Sequence, residues 1–312
     1  MRVGIEVGGT FTDLVMSDGK NIKTAKVPST PASPDEGAML AIKAAGLKLD
    51  EISELIHGST VATNAVLERK GGRVCFFVTQ GTKDLLLIQR HDRRAIYDLQ
   101  YQKPSPVVPR HHTYEINERI AADGKIVSDL DSEVTSNLVR DILEQEKFDS
   151  VAICFLHSYL NPIHERVLSD IISALYPEMP ITCSCDVARE FREYERASTT
   201  TLAAYVQPVV AGYINRFSEE LARRGFQGKF SIMQSNGGRM PAAAITKNAI
   251  TALFSGPAAG VVGAIRGKGS TPYTDIITLD MGGTSTDVAL VSNDQAELAP
   301  MTTIDGLPVK TP

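Results

Sequence analysis

The sequence has no run of eighteen apolar residues, so it offers no membrane-spanning helix. Nor does an apolar signal region precede the first strand pattern, which starts at Arg2, and the expectation is a cytoplasmic protein. Basic charge is not in excess. Its 32 Lys and Arg stand against 37 Asp and Glu, a net charge of −5, so a nucleic-acid partner is not expected. Cysteine is scarce. Cys75 and Cys154 lie in apolar runs and read as buried thiols, while Cys183-Ser184-Cys185 lacks zinc spacing and a second pair to complete it. Three nucleotide or nucleophile signatures are also missing. No G-x-G-x-x-G follows the first strand, no G-x-S-x-G elbow occurs, and the stretch Gly263 to Gly269 is too short for a Walker loop. What remains is a globular composition, 43% hydrophobic and 22% charged over 312 residues, long enough for two domains.

What the chain does have is one phrase written twice. It reads Glu6-Val7-Gly8-Gly9-Thr10-Phe11-Thr12-Asp13 near the start and Asp280-Met281-Gly282-Gly283-Thr284-Ser285-Thr286-Asp287 near the end. Each copy lies between two apolar runs and reads as a β-hairpin turning at Gly-Gly-Thr. Glycines permit positive φ and remove the Cβ atoms that keep a ligand off the backbone. Successive N–H groups can then converge on an anion. The carboxylates would repel phosphate but suit Mg²⁺, which keeps several waters and takes few protein oxygens. Two facing hairpins would clasp a triphosphate and its metal. The competing reading is two ordinary tight hairpins, and the matching acids favour the phosphate reading.

Between the copies, strands and helices alternate as in an α/β layer. Ile22 to Val27 reads as a strand, and Ser33-Pro34-Asp35-Glu36 as a helix start with a Ser cap, closed by Gly46. A strand at Ile52 to Ile56 runs into the stretch His57 to Arg69, which is either an anion or substrate loop or a plain helix cap. Arg73 to Thr79 reads as a buried strand and Gly81 to Arg90 as a helix. Arg90, His91, Arg93 and Arg94 either face an acidic ligand or form a solvated face. Asp131 to Lys147 is an amphipathic helix with Val134, Leu138, Ile142 and Leu143 on one face. A buried strand follows at Val151 to Leu156, then a helix from Asn161-Pro162 to Tyr176. Arg192, Glu193, Glu195 and Arg196 can pair along a helix that continues to Leu221. The strand Lys229 to Met233 opens into Gln234-Ser235-Asn236-Gly237-Gly238, at the strand end where α/β proteins place ligands. Ser255 to Gly260 starts a helix of small residues suited to a hinge or a crossing helix. Gly267 to Pro272 reads as a linker.

These residues resemble a known family. The paired Gly-Gly-Thr hairpins look like the two phosphate motifs of the actin, hexokinase and heat-shock chaperone ATPase superfamily. Within it, the chain resembles the large (A) subunit of ATP-dependent hydantoinases and 5-oxoprolinases. The matching stretches are 8–13, His-Gly-Ser-Thr-Val-Ala-Thr-Asn-Ala at 57–65, Tyr-Asp-Leu at 97–99 and Phe-Leu-His-Ser-Tyr-Leu-Asn-Pro at 155–162. They continue with Arg-Glu-Tyr-Glu-Arg-Ala-Ser-Thr-Thr at 192–200, Gln-Ser-Asn-Gly-Gly at 234–238, Ser-Gly-Pro-Ala-Ala-Gly at 255–260 and 280–287. The resemblance implies an α/β, actin/hexokinase-like (ribonuclease H-like) ATPase fold with a complete first lobe and only the start of a second. The expected division is 1–190, a hydantoinase/oxoprolinase α/β domain, then 191–270, the rest of the first lobe, then 271–312, the start of the second.

It also implies that ATP activates a stable amide. The amide or imide oxygen takes the γ-phosphoryl group, and water then opens the ring. Related subunits activate ketones for carboxylation. By this resemblance Gly8, Gly9, Thr10 and Thr12 cradle phosphate on one side. Gly282, Gly283, Thr284 and Ser285, with Asp287, do so on the other. Asp280 and Asp13 organise Mg²⁺ or the attacking group, and Glu6 stands with them as a catalytic acid. His57, Thr60, Asn64, Arg192, Glu195, Ser235 and Asn236 are substrate-side candidates. The expected partners are a cyclic amide or imide and a second, B-type subunit or a further copy of the chain. Two departures stand out. Position 6 is Glu where the superfamily generally has Asp, and the chain ends about 25 residues after the second hairpin while the family's large subunit is roughly twice as long. That length makes a fragment, or a subunit completed elsewhere, the expectation. A small-molecule kinase and a non-catalytic nucleotide-responsive assembly protein are the other readings.

Overall fold

Val3, Ile5 and Val7 alternate with Gly4 and Glu6 along the first strand, Arg2–Val7, and that period of two buries one face of the sheet. The computed structural model describes residues 1–30, 33–93, 95–269, 271–281 and 286–310. Arg94, Ser270 of the expected linker, and the phosphate candidates Gly282, Gly283, Thr284 and Ser285 lie outside the described residues.

The chain forms two units that are interleaved rather than consecutive. The first is Met1–Thr63 with Val209–Ala299, and the second is Asn64–Pro208 with the stretch from Pro300. The division at 190 and 270 expected from the sequence therefore does not coincide with the packing. Chain order alone cannot reveal that a single helix, Glu193–Arg223, belongs half to each unit.

In the first unit a six-stranded sheet has the order Arg239–Pro241, Lys229–Met233, Glu54–Ser59, Arg2–Val7, Phe11–Ser17, Ile22–Pro28. The three central strands are parallel and the outer pairings antiparallel. The buried face packs on Ala38, Ala41 and Ile42 of the helix Pro34–Ala44 and on Phe217 and Leu221 of the long helix. Each large apolar side chain buried there is worth about 1.5–3 kcal/mol. Pro34 stands in the first turn of its helix, but Ser33 gives no side-chain cap. Its carbonyl instead accepts from the Thr30 hydroxyl at 2.6 Å and from the Glu36 amide at 3.0 Å, so backbone and Thr30 close the turn. The second hairpin, Ile276–Met281 with Thr286–Ser292, belongs to this unit and adds only the short strand Gln295–Ala296.

The second unit holds a parallel sheet in the order Ile181–Cys183, Ser150–Cys154, Val74–Thr79, Thr113–Ile116. Val74–Thr79 is buried throughout, as a strand covered on both faces must be. Asp131 caps the helix Ser132–Gln145, accepting the amides of Glu133 and Val134, each at 3.0 Å. Its buried stripe is Thr135, Val139 and Ile142, whereas Val134 is 64% exposed. Ile142 and Leu143 of the expected stripe face the core, while Thr135 and Val139 take the places expected of Val134 and Leu138. Only one helical turn, Leu85–Ile88, forms where a helix was expected from Gly81 to Arg90. Positive φ at Gly81, Gln89 and His91 breaks the backbone on either side.

Pro208 sits inside the long helix and cannot donate to the carbonyl four residues back, that of Ala204. The Ser150 hydroxyl supplies the missing donor at 2.8 Å, and the Gly72 amide donates to the next carbonyl, that of Tyr205, also at 2.8 Å. Thr199, Thr200 and Thr201 bond back to carbonyls one turn earlier, so this hydroxyl run is part of the helix's own wall. Glu195 and Arg196 do not pair along the helix. Glu195 is held by Arg90. Arg196 is buried, reaching the hydroxyls of Ser158 and Ser184 and the Phe155 carbonyl.

Candidate functional site

The two hairpins share one register. In the first, Glu6 stands opposite Asp13 and Val7 opposite Thr12; in the second, Asp280 stands opposite Asp287 and Met281 opposite Thr286. Opposed residues share a face, so each hairpin sets two carboxylates side by side, an arrangement that costs stability in a plain sheet. Lys26 on the neighbouring strand offsets part of that cost, holding both oxygens of Asp13 at 2.7 and 2.9 Å.

Glu6 is the strained member. Burial, then the negative charges of Asp13 and Asp280, push its carboxyl up from 4.5 to about 7. Three carboxylates that feel one another, one of them part-protonated at neutral pH, make a place where a cation would be welcome. Among the described residues, no group of three or more His, Cys, Asp or Glu side chains is arranged to hold a metal ion. The oxygens of Glu6, Asp13 and Asp280 are the hard donors that Mg²⁺ takes.

The first turn is built differently from what its glycines suggested. The Gly8 amide donates to the Phe11 carbonyl at 3.1 Å, and a Cβ at position 8 would lie 3.1 Å from that same oxygen. Gly8 has no left-handed φ; its value is the space it leaves. Its N–H is used within the turn, which leaves Gly9 and Thr10, both exposed, at the tip where an anion could approach. Ser29 ties the turn down, donating its hydroxyl to the Gly8 carbonyl at 2.7 Å. Thr12 was expected beside phosphate. It faces the buried side instead, opposite Val7, and shares a 3.1 Å hydrogen bond with Ser29, because one step along a strand reverses the side chain.

In the second hairpin Asp280 is exposed and Asp287 partly buried, and both line a cavity of about 420 Å³ against the helix Ser255–Gly267. Gly260 of that helix faces Asp280, with 3.6 Å between a Cβ built there and the carboxylate. The small residues of this helix therefore allow close approach to the acid.

The substrate-side candidates separate. His57 is fully buried and hydrogen-bonded at both ring nitrogens, to the Ile5 carbonyl at 3.2 Å and the Tyr213 hydroxyl at 2.6 Å. The carbonyl can only accept, so Nδ1 carries the proton and Nε2 accepts from Tyr213. Burial, partly offset by the Ile5 hydrogen bond, pulls its pKa down to about 4. It is a neutral core residue that braces the sheet. Thr60, in the first unit, bonds the Val7 carbonyl at 3.4 Å; Asn64 lies in the helix Val61–Leu67. Ser235 and Asn236 form the turn after Lys229–Met233, where Asn236 accepts the Gly238 amide at 2.8 Å. Glu195 lies in the second unit. Burial, the largest single influence, would raise its pKa, but the Arg90 hydrogen bond, a backbone hydrogen bond and the charges of Arg90 and Arg192 together outweigh it and hold the carboxyl below its ordinary value. Arg192 is exposed, in a left-handed backbone conformation, its guanidinium over the Phe191 ring at 5.5 Å. Gly58 and Gly256, which flank the Glu6 carboxyl, lie in the stretches 57–65 and 255–260 but are not among the expected site residues. Their signal was a glycine in a strand and one in a helix's first turn, with no turn chemistry to explain either.

The sheet topology and the doubled acid hairpin are those of the α/β fold of the actin, hexokinase and heat-shock chaperone ATPase superfamily. Within it, the chain belongs to the hydantoinase/oxoprolinase family: the model of the Hydantoinase/oxoprolinase N-terminal region matches residues 2–176 and that of Hydantoinase/oxoprolinase residues 196–312. It is 39% identical to an uncharacterized protein of Methanocaldococcus jannaschii, over 94% of this chain and 44% of that one. It is 34% identical to the caprolactamase subunit alpha of Pseudomonas jessenii, over 93% of this chain and 43% of that one. The crystal structure of the ATP-dependent caprolactamase matches with a TM-score of 0.84, covering 93% of this chain and 43% of that one. A nucleotide-free acetone carboxylase structure also matches at 0.84, with 26% identity, covering 99% of this chain and 46% of that one. The chain thus spans less than half the length of these relatives. No helix among the described residues is long and apolar enough to cross a membrane.

Proposed function

We propose that the chain is the ATP-handling part of an enzyme that phosphorylates the carbonyl oxygen of a cyclic amide or imide before ring opening. The observation that carries this reading is the shared register of the two acid pairs, Glu6 with Asp13 and Asp280 with Asp287, each next to the sequence Gly-Gly-Thr. Phosphoryl transfer asks mainly for positioning and charge neutralisation. Gly9 and Thr10 at the tip of the first turn would meet phosphate oxygens, with Gly282, Gly283, Thr284 and Ser285 as their counterparts. Asp13 and Asp280 would hold the waters of Mg²⁺, which supplies neutralisation of the developing charge when bound. Glu6 between them would hold or release a proton near neutral pH. The carbonyl oxygen takes the γ-phosphoryl group and ADP departs. One water adds to the activated carbon and the C–N bond breaks, leaving the free amine and an acyl phosphate, and a second water hydrolyses that acyl phosphate to the carboxylate and phosphate. A second subunit, or a further copy of this chain, would complete the enzyme, in keeping with the word subunit in the caprolactamase name. A cytoplasmic setting fits the use of ATP.

Ketone activation for carboxylation is the second reading, favoured by the likeness to acetone carboxylase. Kinase and non-catalytic assembly roles find no comparable support. The test is ADP release from Mg-ATP, alone and with 5-oxoproline, hydantoin, caprolactam, or acetone plus bicarbonate. The expected result is stimulation by a cyclic amide that is lost in Asp280→Ala. Stimulation by the ketone alone would replace the first reading with the second, and turnover unchanged in Asp280→Ala would sink both.

A further inference from the structure

Glu6 reaches out of its strand into a space bounded by two glycines. A Cβ built on Gly58, in the adjacent parallel strand Glu54–Ser59, would clash with its Oε2. One built on Gly256, in the first turn of the helix Ser255–Gly267, would lie 2.7 Å from its Oε1. Each carboxyl oxygen thus has one glycine against it. Real Cβ atoms do not approach so closely, so a side chain at either position must displace the carboxyl.

Neither glycine is needed by its own backbone. Neither has a left-handed φ, and both stand where another residue would serve the element better. Glycine weakens a strand interior and is a poorer helix former than alanine. Glycine in a strand often marks close approach by another group. Here that group is the Glu6 carboxyl, which is a methylene longer than the Asp expected at this place.

We infer that Gly58 and Gly256 are positioning residues, forming a slot one carboxyl wide that fixes Glu6 on the acid face shared with Asp13 and Asp280. The inference deepens the reading of this face as the Mg-ATP site. The slot explains how a longer acid is tolerated in the first hairpin. The arm is extended and gripped from two sides, so its oxygens are fixed rather than free to swing into the space where the phosphates would lie. It also makes position 6 and the two glycines interdependent.

That interdependence gives the experiment. Gly58→Ala and Gly256→Ala are each made alone and combined with Glu6→Asp, in the full chain, and read by melting temperature and by Mg-ATP titration in a calorimeter. Each alanine alone should lower the melting temperature and weaken Mg-ATP binding by about 10-fold. In the Glu6→Asp background, where the shorter arm withdraws from the slot, the same alanines should cost less than about 2-fold in binding and recover most of the melting temperature. Additive losses in both readouts, with no rescue by Glu6→Asp, would overturn the slot. Rescue of melting temperature without any Mg-ATP binding in the parent protein would uphold the slot while removing the nucleotide reading. Rescue in both supports the two together.

Discussion

Val3, Ile5, Val7 and Leu14 of the first hairpin are 1, 2, 4 and 1% exposed; Ile277, Leu279, Met281 and Val288, which hold the same places in the second, are 71, 64, 72 and 62% exposed. The alternation is the same and so is the register. The difference lies in the neighbours. The first hairpin is flanked by four further strands and covered by the helix Pro34–Ala44, while the second has one two-residue strand beside it and leaves its apolar face open. A pleated strand decides which residues share a face, but only packing decides whether the face is dry. The acids respond in the same way. Glu6, walled in, is pushed to about 7, whereas Asp280 stands exposed at the edge of its cavity.

The sharpest way to break this comparison is to truncate matching apolar residues. Ile5→Ala should cost about 2–5 kcal/mol in urea unfolding, as a cavity in a packed core does. Leu279→Ala, its counterpart, should stay within about 0.5 kcal/mol. Equal losses would mean that the second hairpin's face is covered in solution. The function of the turns can be compared next. Gly9→Val and Gly283→Val should each weaken Mg-ATP binding by about 10-fold, roughly 1.4 kcal/mol, because a branched Cβ blocks approach to the backbone. Wild-type affinity in one variant alone would show that only one hairpin meets phosphate.

The last comparison concerns pH, and it separates the two faces of the first strand's neighbourhood. Glu6 has a folded pKa of about 7 against its ordinary 4.5. Between those values the folded protein keeps a proton that the unfolded chain has released. Its contribution is therefore full below about 4.5 and lost as pH rises toward 7. His57, pulled from 6.5 to about 4, does the reverse. The unfolded chain takes up a proton that the buried ring refuses, so stability falls as pH drops from 6.5 toward 4. Over that shared window the two slopes oppose, and the parent protein should be nearly flat. Glu6→Gln should unmask the histidine, with a melting temperature that climbs between pH 4.5 and 6.5. A flat profile in Glu6→Gln would argue that His57 titrates normally.

Much of the fold could be read because the signals were local. Asp131 capped its helix, Val74–Thr79 was a covered strand, and the hairpin phrase formed hairpins. The site was less legible, because a motif specifies neighbours in sequence and not the direction of each side chain. Thr12 turned inward by strand parity. His57, beside a polar Gly-Ser-Thr, was drawn into the core by Tyr213, a residue 156 positions away. Glu195 answered Arg90 rather than its helix neighbours. Long-range partners of this kind leave no periodic trace.

The sequence by itself determined the repeated acid hairpin and the family, since these rest on residue spacing and the two-residue period of a strand. Only the tertiary structure decided that the units interleave, that a Ser150 hydroxyl offsets Pro208, and that Glu6 ends between Gly58 and Gly256. The physical reason is that burial, desolvation and steric exclusion depend on which distant atoms arrive at a point, and spacing along the chain does not encode that.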